Sequence, residues 1–198
     1  MRVIAGTLRR RTLDAPVGLK TRPTSDRLRE TLFNVLAPRM ESARFLDLYA
    51  GSGAVGIEAV SRGAANVVLV ERAEPALKVL RGNLEKLGLR GGVRVEGVSV
   101  GTFLRRIRPQ NSAMIFDVVF LDPPYEAVEE YATVLGLLGG DAAGMLAEGA
   151  MVIAEHRRRE KLEDAYGVLR RSRVLEQGDA GLSFYEAASN SEVPAIPI

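Results

Sequence analysis

A glycine-rich turn between an apolar run and a helix constrains this chain most. Residues 47–56 read Asp-Leu-Tyr-Ala-Gly-Ser-Gly-Ala-Val-Gly, with Gly51, Gly53 and Gly56 forming Gly-x-Gly-x-x-Gly. Glycine there permits a tight turn and a close ligand, and the following helix aims its first N–H groups into the same space. From residue 44 onward, short apolar segments alternate with helical patterns. Strands are predicted over 44–49, 67–71, 93–96, 117–121 and 150–155. Helices are predicted over 54–62, 75–87, 102–107 and 126–138, with a weak one over 161–166. Segments 168–175 and 182–186, joined by Gln-Gly-Asp-Ala-Gly, read as a closing antiparallel hairpin. Apolar strands alternating with helices predict an α/β fold, a mostly parallel sheet with helices on both faces.

The N-terminal part has a different composition. Residues 1–45 hold ten Lys/Arg, nine of them Arg, against four acids, whereas the remainder holds 17 bases and 21 acids. A basic arm on a mildly acidic body points to an anionic partner, nucleic acid first, with a solvated extension as the alternative. After the helix cap signal at 24–26, Leu28, Leu32, Val35 and Leu36 form an apolar stripe that Pro38 ends. Arg22, Arg27 and Arg29 sit around the helix start, off that stripe. The predicted organisation is a basic extension over 1–40, a main domain over 41–188 and a frayed tail over 189–198. Cysteine is absent and His156 is the single histidine, which excludes disulfides, thiol chemistry and Cys- or His-rich metal sites. No apolar stretch approaches the roughly 18 residues of a membrane span, so a cytoplasmic, membrane-free protein is expected, and with no coiled-coil or strand-edge signal a monomer is the default.

Two carboxylates bear on the ligand. Asp47 ends an otherwise apolar strand just before the glycine turn. It would repel a pyrophosphate and attract a ligand carrying an ammonium and a sulfonium, such as S-adenosylmethionine (SAM). Glu71 ends the next strand and can accept both hydroxyls of a ribose. A dinucleotide stays open as an alternative for the turn, and so does a role for Asp47 in capping the turn's own N–H groups. Asp122-Pro123-Pro124-Tyr125 follows the fourth strand. Ligands of open α/β sheets bind beyond the carboxyl ends of the strands, so this tetrapeptide and the glycine turn face one crevice. The prolines leave rigid carbonyls beside a carboxylate and an aromatic face. That is a receptor for a planar group bearing an NH₂. An exocyclic nucleobase amine held by Asp122 and a proline carbonyl, and stacked on Tyr125, would lie in line with a sulfonium methyl. Asp122 would accept its proton, and no metal is required.

The motifs around 47–56 and 122–125 resemble those of class I, SAM-dependent amino-group methyltransferases. Residues 21–34, Thr-Arg-Pro-Thr-Ser-Asp-Arg-Leu-Arg-Glu-Thr-Leu-Phe-Asn, resemble the N-terminal signature of the RsmD family, the bacterial 16S rRNA guanine-N2 methyltransferases. Residues 2–6, 61–64 and 181–185 fit the same family, so the resemblance covers about residues 1–187. It implies a Rossmann-like, seven-stranded methyltransferase sheet, SAM as cofactor with S-adenosylhomocysteine as product, and 16S rRNA within a small-subunit particle as substrate. It places Gly51, Ser52 and Gly53 at the methionine end of SAM and Glu71 at the ribose. Asp122, Pro123 and Tyr125 would hold a flipped guanine, and Arg22, Arg27 and Arg29 would contact RNA. Ser99 stands where many class I enzymes carry an acid near the adenine amine, with backbone groups around 98–100 as the alternative reader. Adenine-N6 methylation of DNA or RNA, an NAD-dependent oxidoreductase and a non-catalytic RNA-binding protein are the competing expectations. His156 and Arg157–Arg159 read as ordinary loop residues before a contact to RNA, and Asn83 as the polar face of its helix.

Overall fold

The computed structural model of the chain describes residues 1–15, 25–106, 114–124 and 126–187. Arg22 and Tyr125 therefore lie outside the described residues, as does the 189–198 tail. Helix α1 (Asp26–Leu36) starts where the sequence predicts, with the Ser25 hydroxyl accepting from the Leu28 N–H at 3.1 Å. Then β1 (Arg44–Leu48), α2 (Ala54–Ser61), β2 (Asn66–Val70), α3 (Glu74–Lys86), β3 (Val93–Glu96), α4 (Val100–Arg106), β4 (Phe116–Leu121) and α5 (Glu129–Gly139) alternate. The chain closes with β5 (Leu146–Arg157), the two-residue β6 (Ala165–Tyr166), β7 (Leu169–Gln177) and β8 (Ala180–Ala187).

These strands form one sheet in the order β3-β2-β1-β4-β5-β8-β7-β6. The first five are parallel, and β8 inserts antiparallel between β5 and β7. The hairpin turns on Gly178, whose φ of +60° a residue with a Cβ rarely adopts. The sheet has eight strands rather than seven, because β6 pairs with β7 where a weak helix is predicted over 161–166. Tertiary contacts override that helix. Arg171 donates to the Leu162 carbonyl at 2.8 Å, and the Tyr185 hydroxyl donates to that of Glu163 at 2.9 Å.

Both faces of the central strands are buried, which explains their near-continuous apolar runs. One face packs Phe45, Leu69, Phe120, Ile153 and Phe184 against α1, α2 and α3. The other packs Leu46, Val70, Val119, Val152 and Tyr185 against α4 and α5. Residues 1–15 form a strap on the first face, where Val3 and Leu13 join the apolar cluster. Glu58 of α2 is fully buried and accepts from the strap's Ile4 and Ala5 N–H groups at 2.8 and 3.0 Å. The close approach requires Gly6, since a Cβ there would sit 1.7 Å from the Ser61 carbonyl oxygen.

Candidate active site at the carboxyl edge of the sheet

The strand order reverses between β1 and β4, and the crevice at that switch point is where open α/β sheets bind ligands. The glycine turn leaves β1 there. Tyr49, Gly51 and Gly53 all take left-handed backbone, with φ of +65°, +56° and +81°. Tyr49 is held in that strained conformation by its hydroxyl, which donates to Glu130 at 2.6 Å. A Cβ at Gly51 would meet nothing nearer than the Tyr49 carbonyl at 4.0 Å, so the outer side of the turn is open. Gly56 serves packing instead, because a Cβ there would lie 2.1 Å from Leu69 Cδ2.

Three side chains fix this turn. Asp47 is 1% exposed, and its Oδ2 accepts from the Gly56 N–H at 2.9 Å. Glu71 accepts from Gly51 at 2.9 Å through Oε2, and from Arg72 and Ala73 at 2.8 and 2.7 Å through Oε1. A carboxylate offers about four acceptor positions, so Glu71 retains room for one further donor. Asn83 of α3 donates to the Ser52 carbonyl at 3.0 Å. Asn83 is fully buried rather than part of an exposed polar face. Its place among Ala76, Leu77, Leu80 and Leu84, all buried, is a signal the sequence already carries.

Asp122 is half-buried just beyond β4, beside the buried Pro123. The Pro124 carbonyl accepts from Ala127 at 2.8 Å, which leaves the Pro123 carbonyl as the acceptor next to Asp122. A residue the sequence reading passes over completes the edge. Glu155, 2% exposed, ends the apolar part of β5 as Asp47 ends β1. Leu121 pairs with Ala154, so Asp122 and Glu155 are neighbours across the β4–β5 ladder.

Burial raises the Asp47 carboxyl to about 8; the Gly56 hydrogen bond opposes this shift and the Glu71 charge adds to it. Burial raises Asp122 well above the carboxylate range, and the charges of Glu155 and Asp47 add to it. Among the described residues, these two carboxyls are shifted by acids and burial without an offsetting cation. A pyrophosphate would add to that imbalance, and a cationic ligand would relieve it. Among the described residues, no group of three His, Cys, Asp or Glu is placed to hold a metal ion.

Other predicted site residues stand differently. Ser99 caps α4, its hydroxyl accepting from the Thr102 N–H at 3.2 Å and donating to the Thr102 hydroxyl at 2.8 Å. Arg27 is exposed on α1. Arg29 is fully buried, which corrects its placement off the apolar stripe and removes it from any RNA-facing surface. Its Nη2 donates to the Arg2 carbonyl at 2.5 Å and to Asp26 at 3.0 Å, and its Nε lies 3.9 Å from Glu58. His156 is buried in β5 rather than lying in a loop. Its Nδ1 donates to the Arg157 carbonyl at 2.8 Å, which leaves Nε2 to accept from Ser183 at 2.9 Å. Arg158 and Arg159 form surface ion pairs with Glu176 and Glu160.

The family model described as "Conserved hypothetical protein 95" matches residues 1–186. YlbH of Bacillus subtilis is 36% identical over 186 residues, 94% of this chain and 98% of that protein. The "Ribosomal RNA small subunit methyltransferase D" of Escherichia coli K12 is 39% identical over 158 residues, 78% of this chain and 74% of that protein. The solved structure of yhhF from Escherichia coli superposes with a TM-score of 0.82 at 31% identity, covering 96% of this chain and 99% of that one. The sheet order, the glycine turn and these matches together make the fold that of an α/β methyltransferase, and the chain belongs to the RsmD family.

Proposed function

We propose that this protein is a SAM-dependent methyltransferase that modifies the exocyclic N2 amine of a guanine in small-subunit (16S) rRNA. The observation that carries the reading is the pair of upward-shifted carboxyls at the switch point, buried Asp47 and half-buried Asp122, with no cation among the described groups that shift them. When bound, SAM would supply an electrophilic methyl on a sulfonium, and its two positive charges would offset the Asp47 and Asp122 carboxylates. The residues present fit it. The open side of the turn at Gly51, Ser52 and Gly53 receives the methionine end, with Asp47 behind it. Glu71 takes one ribose hydroxyl at its remaining acceptor position. Because Ser99 is engaged in the α4 cap, the adenine amine is read by backbone groups around 98–100.

On the substrate side, Asp122 and the Pro123 carbonyl accept the two amine protons of the flipped base, and Tyr125 stacks on it. These bonds favour a pyramidal nitrogen whose lone pair points at the methyl. With SAM in place, Asp122 would accept the amine proton released as the nitrogen takes the methyl, whose bonding electrons would stay with the departing sulfur. A neighbouring sulfonium favours the ionised carboxylate needed for that step. Arg27, exposed on α1, contacts an RNA phosphate, and Arg22 is a second candidate. The name of the 39% identical Escherichia coli relative supports small-subunit rRNA as the substrate class. The test is single-turnover methyl transfer to small-subunit particles with wild type and Asp122→Asn. Loss of transfer of about a thousandfold with SAM affinity within threefold is expected. Wild-type turnover in Asp122→Asn would overturn the role.

A further inference from the structure

We infer that Asn83 is a positioning residue that couples the cofactor turn to the N-terminal strap, so that strap docking sets the affinity for SAM. The inference rests on the proposal that the turn binds SAM. A buried amide is stable only when hydrogen-bonded, and Asn83 is fully buried. Its Nδ2 donates to the carbonyls of Ser52 and Asp14, both at 3.0 Å, and its Oδ1 accepts from the Asp14 N–H at 2.8 Å. Both amide protons and the oxygen are therefore engaged only when turn and strap are both in place.

Ser52 lies between two glycines with positive φ, where the backbone has the greatest freedom and most needs outside restraint. Asp47 and Glu71 also restrain the turn, but from strands inside the same half of the sheet. Among the described residues, Asn83 is the side chain whose hydrogen bonds reach both the turn and residues 1–15. The strap is otherwise held on α1 by Arg29, which donates to the Arg2 carbonyl, on α3 by the Asp14–Lys86 ion pair at 3.2 Å, and on α2, the helix that the turn opens, through Glu58 and through the Ser61 hydroxyl, which accepts from Leu8 at 2.9 Å. If the strap lifts, Asn83 loses two of its three bonds and its remaining bond to Ser52 is no longer oriented. Such linkage is reciprocal, so a ligand on the turn must in turn hold the strap.

The experiment is calorimetric titration of SAM into the full chain, well below the unfolding temperature, for wild type, Asn83→Asp, Asn83→Ala and Leu13→Ala. Asn83→Asp keeps the acceptor for Asp14 and loses both donors. Leu13→Ala removes a buried strap side chain next to Asp14 and leaves the sequence of the turn unchanged. Both Asn83 variants should raise the SAM Kd about tenfold, the equivalent of one buried hydrogen bond. Leu13→Ala should raise it about threefold, in the same direction. A merely structural role would lower the binding stoichiometry and the Tm while leaving Kd unchanged. Asn83→Asp or Asn83→Ala within twofold of wild type, or Leu13→Ala with unchanged Kd, overturns the coupling. A wild type that binds SAM but leaves small-subunit rRNA unmethylated refutes the proposed substrate and not this inference.

Discussion

Asp47→Asn should make the ligand-free protein more stable and the cofactor bind more weakly. Burial pushes this carboxyl up to about 8 in the folded chain, against about 4 in an unfolded chain. The folded value lies above the unfolded one, so folding takes up a proton. Asp47 therefore opposes folding increasingly as pH climbs from about 4 to about 8, and has no such effect below that window. At pH 7, three units above the unfolded value, the opposition is about 4 kcal/mol at about 1.4 kcal/mol per unit. Asparagine keeps an oxygen for the Gly56 N–H and removes the charge, but it buries an NH₂ without a partner, which costs about 1–3 kcal/mol. The net gain is about 1–3 kcal/mol, or roughly 3–9 °C in Tm for a chain of this size. Calorimetric melting at pH 4, 7 and 8 measures it, with SAM titration alongside. The gain should be largest at pH 8 and give way at pH 4 to a loss of about 1–3 kcal/mol, the cost of the unpartnered NH₂, and the SAM Kd should rise at least about tenfold. An unchanged or lower Tm at pH 8, or a gain that persists at pH 4, would refute the argument.

The same cluster predicts that SAM binding at pH 7 releases protons, because an incoming cation returns Asp47 and Asp122 to their ionised forms; titrations in buffers of different ionisation enthalpy would show this. Gly56→Ala drives a methyl against Leu69 and should destabilise the fold by about 1–3 kcal/mol, read from denaturant unfolding. Arg27→Ala should leave Tm unchanged and reduce the salt dependence of RNA binding by about one counterion. Arg29→Ala should lower stability by about 3–5 kcal/mol, because it breaks a buried charge cluster around Glu58, and should leave the salt slope of the folded protein unchanged. Protonation of His156, whose pKa burial lowers, should erode stability as pH falls below about 6.5, and His156→Gln should flatten that acid limb.

The parts of the fold that local chemistry dictates were legible in the sequence. β3 has the predicted bounds, and β1, β2 and β4 differ by a residue at one end or both. β1, β2 and β4 are short, mainly apolar runs between turn residues, and β3, Val-Arg-Val-Glu, alternates with period two. α3 was marked at both ends, by Pro75 and Gly88. What tertiary packing decides was less legible. β6 replaces a helix because Arg171 and Tyr185 capture the backbone of 162–163. The stripe of Leu28, Leu32, Val35 and Leu36 alone leaves Arg29 outside it. Including Phe33 widens the buried arc across position 29. Burial of a guanidinium also depends on Glu58, which is distant in sequence, so it has no local signature. In the candidate site, Asp47, Glu71 and Asp122 were visible as charges at the ends of apolar strands. Glu155 follows the same rule on β5 and was passed over because no motif surrounds it. Asn83 was visible as a polar residue on an apolar arc, but its partners, Ser52 and Asp14, are 31 and 69 residues away.

The most direct test of the central claim is methyl transfer from labelled SAM to small-subunit particles that lack the modification, followed by nucleoside analysis of the 16S rRNA. Label in N2-methylguanosine, abolished by Asp122→Asn, is the predicted result. Label in N6-methyladenosine, or no label from a protein that binds SAM, would contradict it.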